Sequence, residues 1–70
     1  MKRVTLTGWV NGLKTVSLVR LVQVEVGSLI EAKRLVELLL DGGEFTLPFD
    51  RIEDAIAFRS RAEELGAIAK

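Results

Sequence analysis

Six glycines cut this chain into pieces of strand or helix length, and that punctuation constrains the fold more than any other feature. They fall at Gly8, Gly12, Gly27, Gly42, Gly43 and Gly66. No repeat, low-complexity stretch or Ser/Pro-rich linker breaks the pattern, so residues 1–70 read as one domain. A chain of 70 residues has room for one core. At that size only about 60% of the unfolded surface is buried on folding.

Each piece carries its own periodicity. Val4, Leu6 and, past a glycine, Val10 alternate with Thr5, Thr7 and Trp9, which predicts a strand over residues 3–10 with Trp9 packed on the sheet. Asn11-Gly12 marks a turn. Residues 13–26 fit two patterns. Leu21 to Val26 alternates like a strand, yet Thr15, Leu18, Val19, Val22 and Val26 share one helical face. The piece is much longer than an ordinary strand of about 5–6 residues, which favours a helix.

Ser28-Leu29-Ile30-Glu31 is a capping-box pattern, in which the Ser hydroxyl and the Glu carboxylate satisfy each other's backbone N–H. A stripe of Leu29, Ala32, Leu35, Val36, Leu39 and Leu40 follows, and Asp41-Gly42-Gly43 ends the helix. Glu44-Phe45-Thr46-Leu47 reads as a short strand that Pro48 confines to an edge or an end. Asp50 and Glu53 form a second capping pattern, with Asp50 as the expected N-cap. Ile52, Ala55, Ile56, Phe58, Ala62 and Leu65 give the last helix its apolar face, and Ala67-Ile68-Ala69-Lys70 supplies a final strand. The expected fold is α+β: β-α-α-β-α-β, with three helices on one face of a small, mainly antiparallel three-stranded sheet.

Composition removes several functions. Apolar residues make up 49% and charged residues 29%, which describes a globular chain. Ten Lys and Arg balance ten Asp and Glu, so no net charge draws the protein to nucleic acid or a membrane surface. Without Cys or His there is no disulfide, thiolate nucleophile, imidazole base or Cys/His zinc site. No apolar run approaches the ~18 residues of a membrane span. Met1-Lys2-Arg3 is not followed by the apolar stretch of a secretory signal, so a cytoplasmic protein is expected.

Catalytic constellations are missing as well. Glu53-Asp54 and Glu63-Glu64 are adjacent helical positions that point about 100° apart and share no site. Ser17, Ser28 and Ser60 have no histidine base, and Gly42-Gly43 lacks the Lys-Ser/Thr of a phosphate loop. No cofactor or enzymatic activity is expected. The candidate surface is a helical hairpin. Lys14, Arg20, Lys33 and Arg34 can share one basic face, unless pairs such as Glu31–Arg34 and Lys33–Glu37 consume them. Val16, Leu21, Val24, Ile30 and Leu38 lie off the inward stripes and could form an apolar patch for a protein partner or a second copy.

Several segments resemble the C-terminal domain of the bacterial ribosomal stalk protein. Val4-Thr5-Leu6-Thr7 looks like that domain's opening strand, and Lys14-Thr15-Val16-Ser17-Leu18-Val19-Arg20 like its lysine-led first helix. Leu29-Ile30-Glu31-Ala32-Lys33-Arg34-Leu35-Val36-Glu37 is close to the family's LKEAKxLVE segment, its most specific part, and Ala62-Glu63-Glu64-Leu65-Gly66-Ala67 to its LEEAGA ending. The resemblance covers nearly the whole chain. It implies the same β-α-α-β-α-β order, a helix over residues 13–26, and a translation factor as protein partner.

In that family the first two helices meet the elongation factors through a basic and apolar surface. Arg20 matches the first-helix lysine and Lys33 the lysine of the EAK motif, while Lys14 matches only across a gap. The family's first-helix arginine falls on Gln23, and its Gly-Leu-Gly turn is reduced to Gly27. With no counterpart of the family's N-terminal dimerisation domain and hinge, a free-standing domain is expected. The Clp protease adaptor looks like a cousin of the same fold, and a substrate-delivery module of that kind is the alternative reading. Its pocket turn is replaced here by Gly8-Trp9-Val10-Asn11-Gly12, and its histidine is absent.

Overall fold

A computed structural model describes residues 2–70. The chain runs β1 (Arg3–Trp9), α1 (Thr15–Val26), α2 (Leu29–Leu40), β2 (Phe45–Pro48), α3 (Ile52–Leu65) and β3 (Ala67–Ala69). This is the expected α+β order, and residues 15–26 are helical. The sheet order is β2-β1-β3, with both neighbours antiparallel to β1. The helices lie on one face. α2 and α3 pack against the strands, and α1 rests on α2 and α3.

Alternation along the strands builds the core. Val4 and Leu6 of β1, Phe45 and Leu47 of β2 and Ala67 of β3 are buried towards the helices. Leu18, Val22, Ala32, Val36, Leu39, Ala55, Phe58 and Ala62 meet them from the helical side. The Phe49 and Phe58 rings tilt against each other at 5.3 Å between centroids. Arg3, Thr5 and Thr7 stand on the other face, where the Thr5 and Thr46 hydroxyls hydrogen-bond at 2.8 Å. Pro48 closes β2, an edge strand whose missing N–H costs no ladder bond.

The first strand departs from strict alternation. Leu6 pairs with Ala69 but Gly8 with Ile68 and Trp9 with Ala67, so one extra residue is accommodated between Leu6 and Gly8. This bulge reverses the parity of the strand's end. Trp9 falls opposite the buried Ala67 instead of on the threonine face, yet it is 42% exposed because the sheet ends there. Val10, read as inward, is exposed beyond the strand.

The helix ends depart in two places. At α2, Ser28 Oγ accepts from the Glu31 N–H at 3.2 Å, as expected. The Glu31 carboxylate does not complete the box but pairs with Arg34 at 3.5 Å. At α3 the N-cap is Arg51 rather than Asp50, with extended backbone (φ −124°, ψ 139°) and no side-chain cap. That shift puts Glu53 in the second helical position. There its carboxylate accepts from its own backbone N–H and from the Arg51 guanidinium at 3.0 Å, which holds its pKa below the usual carboxylate range.

Three expected inward faces are narrower than read. Thr15, Leu29, Ile52 and Ile56 are exposed, because two layers cover only the arc centred on each helix's buried residues. For α3 that arc is set by Ala55, Phe58 and Ala62.

Candidate functional site

The hairpin of α1 and α2 depends on one backbone conformation. Gly27 takes φ +76° and donates its N–H to the Gln23 carbonyl at 2.7 Å, which closes α1 in the left-handed cap glycine favours. Ser28 then caps α2 at once. Two residues therefore join the helices, and they pack antiparallel along their length.

Between the hairpin helices lies an open groove of about 560 Å³. Val19, Val36 and Leu40 line its lower part, since Val36 is buried and the other two are half-buried. Val16 and Leu29 line its exposed margins. Arg20 from α1 and Lys33 from α2 line it from opposite helices, together with Gln23 and Glu37. Among the described residues no ion pair engages Arg20, Lys33 or Glu37. The Lys33–Glu37 pair that helical spacing allowed is not formed.

The expected site residues divide. Val16, Arg20 and Lys33 meet in the groove. Lys14 lies outside it, at the N-cap of α1, where its backbone N–H donates to the Leu65 carbonyl at 2.9 Å. Arg34 is exposed outside the groove, in a surface pair with Glu31 at 3.5 Å. Of the four hairpin cations, only Arg20 and Lys33 line the groove. Leu21 is half-buried against the core rather than free, and with Val24 it lines the α1–α3 side beside Arg61 and Leu65. Ile30 and Leu38 are exposed outside the groove, and Leu38 packs over the Gly43 backbone. The five off-stripe apolar residues do not share one hollow.

Sequence reasoning missed the groove's apolar lining. Val19, Val36, Leu29 and Leu40 read as core because their spacing puts them on the inward stripes. Where two helical cylinders diverge above their contact line, residues at the stripe's edge become a groove. Their period differs little from that of the core.

A second hollow between α1 and α3 is more polar. Glu25, Asp54 and Glu64 surround Leu21 and Phe58 there, with Arg61. Among the described residues no group of three or more His, Cys, Asp or Glu side chains could hold a metal ion. No described helix is long and apolar enough to cross a membrane. No family model, curated protein or solved structure matches the chain.

Proposed function

We propose that the chain is a non-enzymatic protein-interaction domain that receives a translation factor in the α1–α2 groove. The observation that carries this reading is the convergence of Arg20 and Lys33. They are the two positions that match factor-contacting cations in the stalk domain the sequence resembles. They line one apolar groove from facing helices, and neither has an ion-pair partner among the described residues.

The groove divides the work of binding. Covering a side chain such as Val16 or Leu29 contributes up to about 1.5–3 kcal/mol. The cations at the margins add attraction over about 8–10 Å at moderate salt and select an acidic partner surface. A helix with apolar residues at every third or fourth position and carboxylates beside them fits both demands.

Binding of a purified translational GTPase, followed by fluorescence anisotropy of the labelled chain, tests the reading. Binding should weaken with salt, and Arg20→Glu with Lys33→Glu should abolish it while leaving the thermal melt unchanged. If the double variant keeps full affinity, or the wild-type chain binds no such factor, the reading fails.

A further inference from the structure

The outward side of α3 carries the chemistry that the α1–α2 groove accepts. Ala55, Phe58 and Ala62 are the buried residues of α3. At 100° per residue, the opposite side of the helix carries Ile56, Ser60 and Glu63 on adjoining turns. Ile56 is 62% exposed. Ser60 is small enough to let another helix come close. Among the described residues the Glu63 carboxylate pairs only with the half-exposed Arg59, at 3.7 Å, an exposed pair that contributes little and can exchange.

The ridge and the two sides of the groove share the ordinary helical spacing. Ile56, Ser60 and Glu63 are separated by four and then three residues, rises of about 6 Å and 4.5 Å. Val16, Arg20 and Gln23 follow the same steps along α1. Leu40, Val36 and Lys33 follow them along α2 in the reverse direction. Set with its Ile56 between Val16 and Leu40, such a helix would carry Ser60 over Val36 and bring Glu63 towards Lys33 and Gln23. Apolar meets apolar, a small residue crosses the groove's floor, and an acid meets an unpaired cation.

We infer that α3 of one copy of this chain docks into the α1–α2 groove of a second copy, parallel to its α1. A chain cannot do this to itself, because the inner side of its α3 is packed on its own α1, β1 and β3. Two different surfaces meet, so each added copy leaves one ridge and one groove free. The association is head-to-tail and grows with concentration unless a ring closes. The inference rests on the groove being a docking surface, as the proposed function does, and implies that self-association and factor binding exclude each other.

Sedimentation velocity from low-micromolar to millimolar protein tests it. The mean mass should rise with concentration and fall back at high salt. Ile56→Asp removes the ridge and Val16→Asp the groove, so each alone should remain monomeric. Mixed in equal amounts they should form a dimer that does not grow, since one retains the groove and the other the ridge. Both sites are exposed, and circular dichroism checks that the variants fold. Should either fail to fold, Lys33→Glu and Glu63→Lys replace them, each weakening association and the mixture restoring it. A wild-type chain that stays monomeric overturns the inference, as does a single variant that still associates or a mixture that forms no dimer. Ile56→Asp keeps its groove and should bind a translational GTPase at least as well as wild type. Factor binding without self-association would therefore remove this inference alone. Self-association without factor binding would remove only the proposed function.

Discussion

A Cβ on Gly66 would stand 2.9 Å from the Leu13 Cα. The contact joins the end of α3 to the turn before α1. Two hydrogen bonds reinforce it, from the Val10 N–H to the Gly66 carbonyl and from the Lys14 N–H to the Leu65 carbonyl, each 2.9 Å. Gly66 also has φ +108°, a conformation that side chains rarely adopt. The start of α1, and with it one end of the groove, is held in place by a residue that tolerates no side chain.

Gly66→Ala therefore meets both a steric and a conformational penalty. The expected loss is about 1–3 kcal/mol or more. A urea melt of the variant should show a lower midpoint with an unchanged slope. Gly12→Ala, at φ +92° but in open space, should lose less. Equal losses would mean that the contact with Leu13 contributes nothing.

Ser28→Ala should remove the hydroxyl that accepts from the Glu31 N–H. Helix caps of this kind contribute about 0.5–2 kcal/mol. Asp50→Ala should cost far less, since Asp50 does not cap α3. Thermal melts of the two variants separate these cases.

Ile56 and Phe58 lie two residues apart on α3 but in opposite environments. Phe58 is buried and packs at a tilt against Phe49. Phe58→Ala should lose about 3–5 kcal/mol, enough to unfold a domain this small. Ile56→Ser should stay within about 0.5 kcal/mol of wild type in dilute solution. A large destabilisation by Ile56→Ser would mean that its exposed placement is wrong.

Glu53 links stability to acid. Its folded pKa is lowered, mainly by its own backbone N–H and then by Arg51. The contribution is present above the unfolded pKa and is lost as pH falls through the folded value, below the usual carboxylate range. Glu53→Gln should therefore lower stability slightly at neutral pH, leave it unchanged in strong acid, and so flatten the acid limb of stability against pH. The effect is small, because the group is fully exposed.

The order of elements was legible because glycines mark the ends and each piece repeats at the right period. Ser28 was legible as a cap, since a hydroxyl three residues before a glutamate states its partner. Trp9 was not, because a bulge leaves no mark in the alternation and reverses every later position. Asp50 was misplaced by one residue, as Asp50-Arg51-Ile52-Glu53 does not say which residue adopts the extended backbone. Arg20 and Lys33 could be singled out individually. That they line one groove while Lys14 and Arg34 do not depends on helix packing and on a competing pair with Glu31. Local sequence specifies neither.

The central strand is the first element of the chain, and both of its neighbours come later. β2 reaches it from residues 45–48, and β3 from residues 67–69, with the Lys70 N–H on the Thr5 carbonyl at 2.8 Å. During vectorial synthesis α1 and α2 can pair as soon as they emerge, whereas β1 must wait, unladdered on one side, until residues 67–69 have emerged as well. Val4 and Leu6 spend that interval without the covering that Phe58 and Ala67 later provide. Chains truncated before residue 67 should therefore be protease-sensitive, and chains that include residues 67–69 resistant.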